Sequence, residues 1–190
     1  MERSSLRANL LFALTFLKHP VMLGSIIPSS KALVKRLAAQ IDWANTRVLV
    51  EYGPGVGTIT TEMLAHLRPD GVLIGIDFNR DFADYLRRSV NDPRLKVAHA
   101  SAADVEKVME SFGVDGADCI LSGIPYSTLA PELRGQILES SRRVLRPGGT
   151  FLVYQFTRAV RPQLCEVFGE VSEDFEPRNI LPARIYCCSR

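Results

Sequence analysis

Val48-Leu49-Val50-Glu51-Tyr52-Gly53-Pro54-Gly55-Val56-Gly57 is the stretch whose reading decides the fold. Val48 to Val50 is an aliphatic run of the kind that fills a buried strand. A glycine-rich turn follows, and a helical pattern over Thr58 to Leu67 begins at once. Glycine lacks the Cβ that holds a ligand off the backbone, so such a turn bends sharply and admits close approach. The helix behind it starts with unpaired N–H groups that suit a polar ligand. A second strand, Val72 to Ile76, closes on Asp77, twenty residues beyond Gly57. At that distance a carboxylate meets the ribose hydroxyls of a bound nucleoside.

The alternation continues outward from there. Asn79 caps a helix with Phe82, Tyr85, Leu86 and Val90 inward, and Leu95 to Ala98 is a third strand. Val105, Val108, Met109 and Phe112 mark another helix, and Cys119 to Leu121 is strand four. Pro131 opens a helix carrying Leu133, Ile137, Leu138, Val144 and Leu145. Arg146-Pro147-Gly148-Gly149 then turns the chain into strand five, Phe151 to Phe156. Strands that alternate with helices form a parallel sheet covered on both faces. The tail differs. After a short helix near Pro162 to Phe168, Val171 to Phe175 and Ile185 to Cys188 are strands with no helix between them, hence an antiparallel pair. The expected architecture is α/β in a single domain, 1–190, with N-terminal helices over 1–40 and the sheet over 41–190.

The chain has 190 residues, 46% hydrophobic and 23% charged, which suits one domain with a substantial core. A net charge of +2 is too small to imply nucleic acid. Its distribution says more: residues 1–40 hold Arg3, Arg7, Lys18, Lys31, Lys35 and Arg36 against Glu2 alone. A basic N-terminus on a mildly acidic body suits an anionic surface such as a lipid headgroup layer. Between about Ser5 and Lys18, Leu6, Leu10, Leu14 and Leu17 recur at helical spacing. That amphipathic helix either packs on the domain or lies in a membrane interface. Lys18-His19-Pro20 stands where a signal peptide needs small residues, and no run reaches the ~20 apolar residues of a membrane span. The expectation is therefore a cytoplasmic protein. Ser29 or Ser30 caps a second helix, Lys31 to about Ile41. Ile26 and Ile27, ahead of Pro28, form either a lid over a cofactor or lipid or a staple on that helix. Cys119, Cys165, Cys187 and Cys188 lack ligand spacing, so no metal is expected.

The Glu-x-Gly-Pro-Gly-x-Gly form of the first turn resembles motif I of the class I S-adenosylmethionine methyltransferases, whose Rossmann-like fold also closes with an antiparallel hairpin. The resemblance implies S-adenosylmethionine as cofactor. It assigns Gly53, Gly55 and Gly57 to the methionine part, Glu51 to its ammonium, Asp77 to the ribose and Phe78 to the adenine ring. The alternative for Asp77 is a helix cap. Ser101-Ala102 stands where the family often has an Asp-Ala pair on the adenine amine, with Asp104 as a substitute for the missing acid. Ser25 and Ser122 complete the implied cofactor contacts.

Ser122-Gly123-Ile124-Pro125-Tyr126 follows strand four, at the end of the sheet where ligands bind. It resembles the Asn-x-Pro-Tyr loop of methyltransferases acting on adenine, but Gly123 replaces the asparagine that grips the exocyclic amine. The Ser-Gly-x-Pro version is similar to bacterial phospholipid N-methyltransferases. So are Gly24-Ser25-Ile26-Ile27-Pro28-Ser29-Ser30, Tyr154-Gln155-Phe156-Thr157 and Asn179-Ile180-Leu181-Pro182-Ala183. This implies methylation of phosphatidylethanolamine, through its mono- and dimethyl forms, toward phosphatidylcholine. The amine must be neutral to attack, so the protein supplies orientation and an exit for a proton. Tyr126 is expected to orient the amine. Ile27, Gly123 and Phe156 would line the substrate, the rings of Tyr126 and Phe156 attracting methylated cations or else simply packing in the core. Arg158 and Arg161 either bind lipid phosphate or are solvated surface charges. The expected protein is a monomer, held peripherally on the inner membrane face by its N-terminal helix, with no nucleic-acid partner. The alternatives are an rRNA adenine N6-dimethyltransferase-like enzyme, a small-molecule methyltransferase and a non-catalytic cofactor-binding scaffold.

Overall fold

The structure is a computed structural model that describes residues 29–190. The expected helix over Ser5 to Lys18, with Ser25 and Ile27, lies outside the described residues. Helix α1 (Lys31–Ala38) begins where the Ser30 hydroxyl accepts the Leu33 N–H at 3.2 Å. Strand β1 (Val48–Tyr52), helix α2 (Thr58–His66), β2 (Val72–Asp77), α3 (Arg80–Ser89) and β3 (Leu95–His99) follow. Next come α4 (Val105–Ser111), β4 (Ala117–Ser122), α5 (Pro131–Val144), β5 (Leu145–Gln155) and α6 (Arg161–Phe168). The hairpin of β6 (Val171–Glu176) and β7 (Ala183–Ser189) closes the chain.

One seven-stranded sheet runs in the order β3-β2-β1-β4-β5-β7-β6. β1 to β5 are mutually parallel, while β7 lies antiparallel to both β5 and β6. From β1 the chain works outward to β3, then returns to β1's other side as β4. The carboxyl ends of β1 and β4 therefore flank the topological switch point, where open α/β sheets receive ligands. Successive side chains of a strand face opposite layers. Val48, Val50 and Tyr52 pack toward α4, α5 and α6, whereas Leu49 packs toward α1 and α2. At the opposite end, the Asp118 carboxylate ties the strands together. It accepts the Arg47 and Val48 N–H groups at 2.9 and 2.8 Å and pairs with Arg146 at 2.9 Å.

Three boundaries differ from the expectation. Helix α1 stops at Ala38, and Ile41 reaches the core from the turn behind it. Phe112 is 37% exposed, because α4 ends before it and leaves its ring off the buried stripe. Arg146 to Gly149 is a bulge inside β5, not a turn ahead of it. Leu145 already pairs with Ala117, and the register shifts before Thr150 meets Cys119. The C-terminal residue stitches that bulge, since Arg190 O accepts the Gly148 N–H and Gly149 O accepts the Arg190 N–H. Among the described residues, no helix is long and apolar enough to cross a membrane.

Candidate functional site

The glycine turn is pinned to both neighbouring strands. Ile76 O accepts the Gly53 N–H at 2.9 Å, and Tyr52 O accepts the Gly123 N–H at 3.0 Å. Gly57 (φ +83°) is a packing glycine, for a Cβ there would lie 2.5 Å from Leu86 Cδ1. Gly55 (φ +55°) is different: among the described residues, nothing lies within 4 Å of the position its Cβ would take. That open bed beside a helix start is what a bound ligand needs.

Glu51 leaves β1 beneath this bed, 3% exposed, and accepts the Thr60 hydroxyl at 2.7 Å. Burial pushes its carboxyl up to about 7, assisted by the Asp77 charge and opposed by the Thr60 bond. Asp77, also buried, accepts the Asn79 N–H at 2.8 Å on Oδ1 and the Gly55 N–H at 3.0 Å on Oδ2. Burial raises its carboxyl against those two bonds. Each oxygen keeps a lone pair for a further hydroxyl. The cap of α3 is Asn79, which accepts the Asp81 N–H at 2.8 Å. Phe78 presents a ring that is 77% exposed. Ser101 accepts the Ala103 N–H at 3.2 Å, Ala102 is buried beside it, and Asp104 turns outward to Lys107 at 3.4 Å. The missing acid of the Ser101-Ala102 pair therefore has no replacement in Asp104.

Two expectations at the β4 loop are overturned. Ser122 is fully buried with its Oγ 3.1 Å from the Tyr126 hydroxyl, and Tyr126 is itself 0% exposed among core residues. A short 3₁₀ turn, Tyr126–Thr128, folds residue 126 back onto the sheet face that Ser122 occupies. Both side chains are enclosed, and Tyr126 packs in the core where it was expected to orient an amine. Phe156 is half-buried against the cluster formed by α1 and α2. Arg158 is not isolated: it shares the Glu173 carboxylate with Arg161 and Arg184.

The residue that the sequence reading missed is Tyr154. A Cβ built on Gly123 would run into the Tyr154 ring and hydroxyl. The same hydroxyl hydrogen-bonds Ser29, the first described residue, and lies in the field of Glu51. Burial, helped by Glu51, drives its phenol far upward, so it stays protonated at neutral pH. The signal was present: residue 154 has the parity of Leu152, which faces α1, and a glycine opposite leaves room for a long side chain.

A family model described as a methyltransferase domain matches residues 49–149. An ornithine lipid N-methyltransferase of Singulisphaera acidiphila is 34% identical over 184 residues, which cover 94% of this chain and 94% of that protein. A ribosomal RNA small subunit methyltransferase A of Acidithiobacillus ferrooxidans is 33% identical over 112 residues, 59% of this chain and 40% of that one. Among solved structures, an O-methyltransferase from Bacillus cereus in complex with SAH superposes with a TM-score of 0.71 at 15% identity. The match covers 100% of this chain and 92% of that one, and shows the shared fold. An open glycine bed at the switch point, a buried acid on either side of it and a family match through the same residues converge: the chain belongs to the class I S-adenosylmethionine-dependent methyltransferases.

Proposed function

We propose that the protein methylates the primary amine of a membrane lipid. The observation that carries this reading is the Gly123–Tyr154 pair. An adenine-directed site needs an amide after β4 to grip the exocyclic amine. Here that position has no side chain, and the Tyr154 hydroxyl fills its space. A single neutral phenol, reached from the α1 side of the sheet, suits a small amine at the end of a flexible headgroup. The full-length similarity to an ornithine lipid N-methyltransferase supports the same substrate class.

When bound, S-adenosylmethionine supplies a methyl group on a sulfonium, open to in-line attack by a neutral amine. Glu51 answers the cofactor's ammonium, Gly55 gives it a bed, Asp77 takes the ribose hydroxyls and Phe78 covers the adenine. Tyr154 Oη accepts an N–H of the incoming amine, which leaves the amine's one lone pair free and in line with the methyl; this is catalysis by orientation. Being protonated, Tyr154 does not remove the amine's proton, and that proton leaves to water at the open end of the site. Arg158 lies beyond β5 within reach of a headgroup phosphate.

Phosphatidylethanolamine is the acceptor that the loop and hairpin motifs point to, and the lipid-methylating relative favours ornithine lipid as a second reading. Purified protein with methyl-labelled cofactor decides between them. Vesicles of either lipid are offered beside rRNA fragments, and the lipid and RNA fractions are counted. Label in one lipid names the acceptor, and label confined to RNA overturns the proposal.

A further inference from the structure

We infer that the β6–β7 end of the sheet is a second membrane-docking surface, built from an apolar turn and an arginine triad. The turn between β6 and β7 carries Ile180, 70% exposed, and Leu181, 41% exposed. Exposed aliphatic side chains side by side and rimmed by polar residues are the composition of an interaction site. Asn179, 6% exposed, braces the turn by donating from Nδ2 to Leu181 O at 2.9 Å. Such a tip keeps its apolar residues outward without ordering them on contact.

Beside it, three guanidiniums surround one carboxylate. Glu173 accepts from Arg158 at 3.3 Å, faces Arg161 at 3.5 Å and pairs with Arg184. One acid cannot neutralise three bases, so the cluster keeps a positive excess. Arg184 also stacks over the half-exposed Phe175 ring, 5.3 Å from its centroid, which joins the charged group to the apolar one. A positive rim around an apolar tip matches a leaflet with anionic headgroups outside and acyl chains within.

Position favours this partner over another protein. Gln155 pairs with Arg184 and Glu176 with Ala183, so the tip lies at the carboxyl end of β5, the same end of the sheet as the glycine turn. The Ser30 N–H donates to Asn179 Oδ1 at 2.8 Å, and the neighbouring Ser29 bonds the Tyr154 hydroxyl, so the tip adjoins the tyrosine of the site. A bilayer touching this surface lies beside the acceptor side of the site. The choice of partner rests on the lipid reading, but the test does not require turnover.

The test uses vesicles of phosphatidylcholine and phosphatidylglycerol, which offer no methylatable amine. Ile180→Trp in a Trp43→Phe background places a single indole on the tip. Its emission shifts to the blue and is quenched by brominated acyl chains when the vesicles bind. Independently, Ile180→Glu with Leu181→Glu lowers vesicle affinity at least tenfold, from the apolar burial lost. Arg158→Ala with Arg161→Ala lowers it by about tenfold or more and flattens its salt dependence. Cofactor affinity is unchanged in all of these variants, the two double variants melt with the parent, and Ile180→Trp melts with its Trp43→Phe background, which itself loses the Trp43 bond to Ala38 O. An indole that stays unquenched while the protein cosediments with the vesicles overturns the inference, as does unaltered affinity in both double variants. Dimerisation that disappears with the Glu pair would reassign the tip to a contact between copies. Docking without any lipid methylation would leave this surface standing and refute the proposed acceptor instead.

Discussion

Glu51→Gln removes a carboxyl that burial holds at about 7 and leaves its shape in place. In the proposed complex the cofactor's ammonium faces Glu51 and favours its ionised form, so Glu51 is expected to lose its proton on binding. With the bound carboxyl back near its ordinary value, affinity falls as pH drops below 7. Between pH 7.5 and 5.5 the loss is about twentyfold, or about 2 kcal/mol, at 1.36 kcal/mol per pH unit. The cofactor's own amine titrates above this window, near that of any α-amino group. Calorimetric titration of S-adenosylhomocysteine across the window reads the slope, and buffers of differing ionisation enthalpy count the proton released near pH 7. The Glu51→Gln variant binds more weakly at pH 7.5 and loses most of the slope, with Asp77 carrying any remainder. The free protein moves the opposite way. A carboxyl raised on folding stabilises fully below the unfolded value, and that contribution is lost as pH rises through 7. Without ligand, Glu51→Gln therefore melts at a higher temperature than the parent at pH 8 and close to it at pH 4.5. Equal slopes in parent and variant, or tighter binding at pH 5.5, would refute the reasoning.

Two glycines of the same turn separate packing from binding. Gly57→Ala drives a Cβ against Leu86 at a positive φ and destabilises by about 2–4 kcal/mol in thermal or urea melts. Gly55→Ala meets no atom of the described residues, costs only about 1–2 kcal/mol and weakens cofactor binding at least tenfold in the same calorimeter. Tyr154→Phe lowers kcat by about ten- to a hundredfold with cofactor Kd unchanged, whereas Tyr126→Phe, which loses a buried bond to Ser122, changes stability by about 1 kcal/mol and leaves kcat alone. Glu176 is held down to about 2 by Arg178 and Arg36, so its contribution is complete above its unfolded value and lost as pH falls through 2. Glu176→Gln accordingly flattens acid unfolding in circular dichroism below pH 4.5.

Elements with a strong local period were legible in the residues. Val48 to Gly57 announced strand, turn and helix, and Asp77 announced the end of β2, because strand alternation and glycine turns are local properties. The bulge at Arg146 to Gly149 was not legible, since it exists through a pairing with Ala117 and a tether to Arg190, both distant in sequence. The same holds at the site. Glu51 and Gly55 lie on one short stretch and could be placed from it. Tyr126 was expected at the ligand and Tyr154 had no expected role; the burial of the first depends on a 3₁₀ turn, and the place of the second on the space above Gly123. A motif places residues along a chain; only packing tells which side of the sheet each one takes.

The most direct measurement of the central claim is lipid mass spectrometry of a bacterium that makes both phosphatidylethanolamine and ornithine lipid but methylates neither, before and after it expresses this protein. The account predicts new lipids heavier by one, two or three methyl groups, with fragments placing the added mass on the amine. They should be absent with Gly55→Ala and sharply reduced with Tyr154→Phe. An unaltered lipid profile from a protein that is folded and binds cofactor would contradict it.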